Sequence, residues 1–206
     1  MDAPSPAADA RQLRSSDAGH EVWSLELVDP AAGVVASMGI QLGGGAAGWW
    51  TVIARTERPL VAVIDPEVSA PLWPDLEVRA SGLWAELRVQ TRLTHLTADL
   101  EAFGIEVDTP AELLGDARGH RVPVGSDVEW HATGVIVGLD DGYEVGAVVE
   151  GELLIGSERV AIAGTGWWTH RWGTAAWPRL DRLLAVESTS AGEIVRPRFP
   201  ASPPPG

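Results

Sequence analysis

The residues best suited to chemistry lie in segment 164–173, which reads Gly-Thr-Gly-Trp-Trp-Thr-His-Arg-Trp-Gly. His170 can deliver or accept a proton near neutral pH. If the segment is a strand, its alternation places Trp168, His170 and Trp172 on one face. Indole faces attract cations, so this trio, with Trp177 shortly after it, has the residue types for protonating an alkene inside a dry cavity. His170 is the first candidate catalytic residue.

A second explanation for His170 stays open, because a buried histidine can simply bond a backbone carbonyl and hold the end of a strand.

The distribution of tryptophan favours a ligand-lining role for some of these residues in addition to core filling, since four of the ten fall within 167–177. The pairs at 49–50 and 167–168 are adjacent, and neighbours in a strand point to opposite faces, so one member of each pair can line a lumen. Candidate ligand-lining residues are therefore Trp168, Trp172, Trp177 and Trp50, whereas we expect Trp23, Trp73 and Trp84 to be core.

Glu129 and His131 share another strand face, and Trp130 lies on the opposite one. We take Glu129 as a weaker candidate for acid–base catalysis and Trp130 as a further ligand-lining candidate. Two ligands rarely make a metal site, and no close histidine cluster or metal-binding motif accompanies this pair. His95 and Asp99 form a similar pair. The sequence predicts solvent-facing strand sides at both pairs, and neither a metal nor a cofactor.

The composition excludes several classes of binding partner and of chemistry. The net charge is −14, so the chain lacks the basic face that nucleic acid or an anionic membrane surface would need. No apolar run approaches the ~18 residues of a membrane span, and the first residues lack the apolar stretch of a secretory signal. We therefore expect a cytoplasmic location and neither nucleic acid nor a membrane as partner. The tryptophan-rich segment around His170, not the composition, leads us to expect a small apolar metabolite as partner. The absence of Cys and Lys excludes disulfides, thiolate chemistry and a lysine Schiff base. The oligomeric state stays open.

The sequence pattern predicts that the secondary-structure elements that position these residues are β-strands. Short apolar or alternating runs recur along the chain, and turn signals such as Asp29-Pro30, Ser81-Gly82 and Asp141-Gly142 separate them. About a dozen strands joined by short turns predict an all-β, antiparallel fold, either a calycin/lipocalin-like barrel or a two-sheet sandwich. One short helix is predicted at 110–114, where Thr109 could cap a segment that begins with proline.

The domain prediction follows from the same pattern. Residues 1–18 and 200–206 are rich in Ala, Pro, Ser or Asp without periodicity, so we expect both segments to be disordered. Residues 19–199 are predicted to form a single β domain. Two half-barrels, at about 19–120 and 121–199, are the alternative.

The 164–173 segment is similar to the Gly-x-Gly-x-x-Asp-His-Ser-Trp-Gly-x-Arg-Asp-Trp element of a lipocalin-like family. This family includes carotenoid hydratases of the hydroxyneurosporene synthase type, AttH-like proteins and an actinobacterial branch. Further blocks resemble it in the same order: Trp23 with 29–33, 100–105 with 108–112, 122–130, and Tyr143-Glu144. The resemblance spans roughly residues 20–177. It implies a calycin-type fold with an apolar cavity, and active-site roles for His170 and Trp172.

Three functional hypotheses stay open from this comparison. In the first, a lipocalin-like protein encloses an isoprenoid or polyketide metabolite and acts on it as a cofactor-independent hydratase, cyclase or isomerase. In the second it is a non-catalytic carrier, because Thr169, Arg171 and Ala175-Ala176 replace acidic or polar residues of the family element. In the third it is a structural β domain whose tryptophans fill the core.

Overall fold

The structure is a computed structural model that describes residues 9, 10, 12, 19–115, 118–174 and 176–200. Most of the two segments expected to be disordered therefore lies outside the described residues. Of the first eighteen positions, only Asp9, Ala10 and Gln12 are described, and Asp9 is buried.

The described residues form twelve strands in chain order. They are β1 His20–Asp29, β2 Val34–Gly43, β3 Ala46–Arg55, β4 Leu60–Ser69, β5 Glu77–Ala80, β6 Leu83–Thr91, β7 His95–Val107, β8 His120–Leu139, β9 Gly142–Ile155, β10 Glu158–Gly173, β11 Leu184–Thr189 and β12 Gly192–Pro197. Two short 3₁₀ helices lie at Pro110–Leu114 and Leu180–Arg182. The all-β prediction is confirmed.

Ten of the strands form one antiparallel sheet that curls into a partly closed barrel. Its order is β4-β3-β2-β1-β10-β9-β8-β7-β6-β5, and β4 also pairs with β7. The end of β7 bonds to β4, with Leu60 opposite Val107, whereas its start bonds to β6, with Thr91 opposite His95. The ring therefore closes through eight strands, and the β5–β6 hairpin branches away from it at β7.

The barrel interior follows from strand alternation. In β6, Leu83, Ala85 and Leu87 are buried in the main core, as the period of two predicts. The inward residues of β1, from Trp23 to Leu27, belong to the same core.

The outer face of β1–β4 is covered as well. The β11–β12 hairpin packs there with the first 3₁₀ helix, and its residues Ile194 and Val195 form one buried cluster with Val35 and Val52 of the barrel wall. Strands β2 and β3 are consequently buried on both faces, which explains why their sequences are nearly continuous apolar runs.

One local prediction can be compared with the structure. The short helix at Pro110–Leu114 is present as a 3₁₀ helix, with Thr109 at its N-cap and proline in its first turn as predicted, although the Thr109 side chain makes no capping hydrogen bond. Gly151 has a φ of +142°, and a Cβ there would lie 2.2 Å from the Asp127 carbonyl oxygen, so only glycine fits this point of β9. Among the described helices, none has the length and apolarity to cross a membrane.

Candidate functional site

The inward positions of three adjacent strands meet at one end of the barrel. Register places Trp23 of β1 opposite His170 of β10, and His170 opposite Tyr143 of β9. Glu21 precedes Trp23 by two residues and therefore shares its face. Glu21 and His170 both have no solvent-exposed surface. We call this group, completed by Trp168 and Trp172, the Glu21–His170 site.

A hydrogen bond joins the two ionisable groups of the site. His170 Nε2 lies 2.8 Å from Glu21 Oε1. The same oxygen accepts the indole N–H of Trp23 at 3.0 Å and the backbone N–H of Gln12 at 2.9 Å. Because a carboxylate without its proton only accepts, its bond to His170 fixes a proton on Nε2. Several N–H donors that converge on one carboxylate suit its ionised form.

Aromatic rings enclose the imidazole of His170. Trp23 stacks on it with ring centroids 3.7 Å apart and planes inclined by 18°. Tyr143 meets it edge-on at 5.6 Å, and Trp172 lies 4.6 Å away with a tilted ring. Trp168 is buried on the same face of β10. A protonated imidazole would gain cation–π stabilisation in these surroundings.

A second buried carboxylate completes the polar part of the site. Asp9 accepts hydrogen bonds from the Tyr143 hydroxyl and from the backbone N–H of Leu93. Burial, together with the nearby Asp9 carboxylate, raises the pKa of Tyr143 well above its ordinary value. Tyr143 is therefore a neutral hydroxyl that donates a hydrogen bond.

A cleft of about 360 Å³ leads from the surface toward this group. Asp9 and Trp23 line it, and most of the rest of its lining comes from the β5–β6 side. This lining is mixed, with apolar Leu76, Leu87 and Val89 beside charged Asp75, Glu86, Arg88 and Arg92. The volume lies at the small end of the range for ligand sites.

The structure brings together three of the residues that the sequence singled out. Trp168, His170 and Trp172 share the inner face of β10, as alternation predicts. Trp130 also lies in the interior, where its indole N–H donates to the backbone oxygen of Glu26 at 3.0 Å.

The other two candidate tryptophans lie on the outer face. Trp177 stacks on His20 at 3.5 Å, and Trp50 donates to the hydroxyl of Ser37 at 3.1 Å. Both pack around Leu180 beneath the C-terminal segment. They do not line the Glu21–His170 site.

Glu129 lies on the outside of β8, opposite in direction to Trp130. Its carboxylate is 2.7 Å from His95 Nε2 and 3.4 Å from His131 Nε2. Glu129, His95 and His131 form the group of described residues that could hold a metal ion. Glu129 is therefore not part of the Glu21–His170 site.

Sequence reasoning missed four residues of the site: Glu21, Trp23, Tyr143 and Asp9. One signal for Glu21 was present, because alternation puts it on the same face as Trp23, Leu25 and Leu27, and an acidic residue on an apolar face is costly unless paired. Asp9 lies in a segment without periodicity, so nothing in the sequence indicates its contact with Tyr143.

No family model matches the chain, and neither the curated proteins nor the solved structures contain a match to it.

Proposed function

We propose that the chain is a lipocalin-like protein that encloses a small apolar metabolite of isoprenoid or polyketide type. In this proposal it acts on the metabolite without a cofactor, as a hydratase, cyclase or isomerase. The observation that supports it is the hydrogen bond between Glu21 and His170, wholly buried among aromatic rings. Ionisable groups are costly to bury, and they collect at sites where their proton transfer is used.

Each group has a defined role in this reaction. Glu21 holds a proton on Nε2 of His170 and thereby orients the ring, so the exchangeable proton is the one on Nδ1. Protonated His170 delivers that proton to an alkene carbon and leaves a carbocation on the substrate. Water then adds and returns a proton to His170, which gives hydration; loss of a neighbouring substrate proton to His170 gives isomerisation.

The aromatic rings supply the rest of the catalysis. The faces of Trp23, Trp168 and Trp172 stabilise the cation, and the closed interior keeps bulk water away from it. The Tyr143 hydroxyl, held neutral, can orient a polar end of the substrate. These roles require no metal or organic cofactor.

Access is through the cleft that Asp9 and Trp23 line. The backbone N–H of Gln12 donates to both carboxylate oxygens of Glu21, at 2.9 and 3.0 Å. Gln12 therefore contacts the Glu21–His170 site directly, and Asp9 lines the cleft beside it.

Ligand binding is tested by tryptophan fluorescence during titration with a panel of isoprenoid alcohols and aromatic polyketides. Quenching is expected in the unmodified protein and should be strongly reduced in Trp23→Phe. Trp84→Phe is the matched control, because its indole also donates to a glutamate (Glu77, at 2.7 Å) but lies on the outer side of β6. Absence of any change with the whole panel would count against a cavity and favour a structural domain.

Catalysis is tested by following product formation from the compounds that bind. His170→Ala and Glu21→Gln should both lose at least about 100-fold in kcat, the usual contribution of a general acid–base group. Circular dichroism verifies that each variant is folded. Unchanged turnover in folded His170→Ala would remove His170 from the mechanism, and tight binding without conversion in the unmodified protein would identify a carrier.

A further inference from the structure

We infer that the outer face of β7–β9 carries a zinc site formed by His95, Glu129 and His131, with Glu150 as fourth ligand. This site is independent of the Glu21–His170 site, because its residues point outward from the barrel. In sequence the four residues are spread over 56 positions. The sheet register brings them together.

The register explains how these side chains meet. His95 of β7 lies directly opposite His131 of β8, and Glu129 of β8 lies directly opposite Glu150 of β9. Glu129 and His131 are two residues apart and therefore share a face. The four side chains consequently stand on the outer side of three neighbouring strands, with the imidazoles of His95 and His131 stacked at 4.4 Å.

The distances fit a tetrahedral ion. Zinc bonds to nitrogen and oxygen of about 2.0–2.1 Å require ligand atoms roughly 3.3 Å apart. His131 Nε2 lies 3.4 Å from Glu129 Oε2 and 3.4 Å from Glu150 Oε1. The ligand atoms of His95, Glu129 and His131 all lie within 4.8 Å of one another. A bound ion would replace the proton between His95 and Glu129 and widen their 2.7 Å separation.

One atom of the cluster indicates a missing partner. His131 Nε2 is buried and makes no hydrogen bond with the described residues. The nearest carboxylate oxygens, one from Glu129 and one from Glu150, are each 3.4 Å from this nitrogen. That distance is within the range of an ion pair but longer than an ordinary hydrogen bond. The His131 side chain is 41% exposed, but its Nε2 is buried between two carboxylates without a hydrogen bond, and a divalent cation bound there would satisfy all three groups.

The surrounding charge also favours a cation. In the next cross-strand row, Asp99 lies opposite Asp127, and Asp127 lies opposite Glu152. Like charges directly opposite each other destabilise a sheet. A divalent ion beside this row reduces that repulsion. Two imidazoles with carboxylates suit zinc and neighbouring transition metals better than calcium or magnesium, which prefer oxygen ligands alone.

A bound ion would link β7, β8 and β9 next to the point where the pairing of β8 with β9 is irregular. The pairing of β8 with β9 shifts between Ala132 and Ile136, immediately after His131. Glu150 lies beside His131 but outside the group of three, and its exposed side chain would have to turn toward the ion to complete a closed coordination like that of structural zinc sites. The expected role is therefore stabilisation of the sheet.

The test uses the full chain without a polyhistidine tag, treated with a chelator and then titrated with ZnCl₂ in a calorimeter. One zinc ion per chain should bind, and Zn²⁺ should raise the Tm. His95→Ala and His131→Ala should each weaken binding at least about tenfold, since even the loss of an outer-sphere partner costs 10–100-fold. His120→Ala is the control, because His120 is an exposed histidine of the same strand.

Glu129→Gln keeps the shape of the side chain and should also weaken binding and abolish the Tm increase. This variant serves if a histidine variant does not fold. Absence of stoichiometric binding would overturn the proposal, as would equal affinity for Zn²⁺ in His120→Ala and the folded ligand variants. Neither result bears on the Glu21–His170 site.

Discussion

Trp23 and His170 face each other across β1 and β10, and their rings stack with centroids 3.7 Å apart. Glu21 bonds to both of them, to the indole N–H of Trp23 and to Nε2 of His170. One carboxylate therefore fixes both members of the stack.

Glu21 and His170 offer a direct comparison with the His95–Glu129 pair on the outer face. The two hydrogen bonds have similar lengths, 2.8 and 2.7 Å, but the first pair has no exposed surface and the second is 28% and 40% exposed. Glu21→Ala should lower the free energy of unfolding by about 3–5 kcal/mol, because it leaves an uncompensated buried group. Glu129→Ala, in metal-free protein, should cost about 1 kcal/mol or less. Urea denaturation measures both, and equal losses would contradict the prediction.

Glu26 should make stability depend on pH. It lies on the outer face of β1 beneath Arg196 of β12, 3.0 Å away, and burial raises its pKa from 4.5 to about 7. The folded state therefore binds this proton more tightly than the unfolded chain. The resulting stabilisation is complete below pH 4.5 and is lost as the pH rises through 7.

The variant Glu26→Gln tests this effect, because its side chain stays neutral at every pH. The free energy of unfolding of Glu26→Gln, relative to the unmodified protein, should increase between pH 4.5 and 7.5 by on the order of 3 kcal/mol. Urea denaturation at several pH values measures the difference. A difference that does not change with pH would show that Glu26 titrates alike in both states.

Gly39 is expected to resist any larger residue. A Cβ there would lie 2.1 Å from the backbone oxygen of Trp23 and 2.6 Å from the ring of Trp50, which are both buried. Gly39→Ala should therefore destabilise the protein by several kcal/mol or prevent folding. Gly115→Ala is the control, since no atom lies within 4 Å of its Cβ position. Thermal melts that coincide for the two variants would refute the steric argument.

Asp9 should protect one backbone amide from exchange. Its carboxylate accepts the N–H of Leu93 and the hydroxyl of Tyr143. Asp9→Ala should accelerate hydrogen exchange at the Leu93 amide by about tenfold, which corresponds to roughly 1.4 kcal/mol. The Ala163 amide bonds Asp29 instead, at 2.8 Å, and serves as the internal reference. Unchanged exchange at Leu93 would mean that Asp9 does not hold this contact in solution.

The sequence predicted the parts of the fold that depend on alternation and turns. The period of two correctly assigns Leu83, Ala85 and Leu87 to the core, and it correctly groups His170 with Trp168 and Trp172. Such predictions succeed because they depend only on which residues share a face.

Alternation does not reveal which face is the interior. Trp50 is buried and Trp177 is partly buried, but both pack around Leu180 on the outside of the barrel, not in its interior. The grouping of His95 with Glu129 and His131 depends on the β7–β8 register, which places His95 opposite His131 and cannot be read from either strand alone. β7 and β8 are consecutive strands, but the long connection between them (108–119) does not fix their register as a tight turn would, so packing of the sheet sets it.

The hydrogen bond between Glu21 and His170 joins residues 149 positions apart. During synthesis β1 emerges early, whereas β10 follows only after eight other strands, so a nascent chain carries Glu21 without its partner. Contacts of such high sequence separation form slowly, because loop-closure entropy must be overcome first. Pairing of β1 with β10 thus closes the ring of strands and brings Glu21 to His170 in the same event. A chain that stops before β10 has neither the closed ring nor the Glu21–His170 pair.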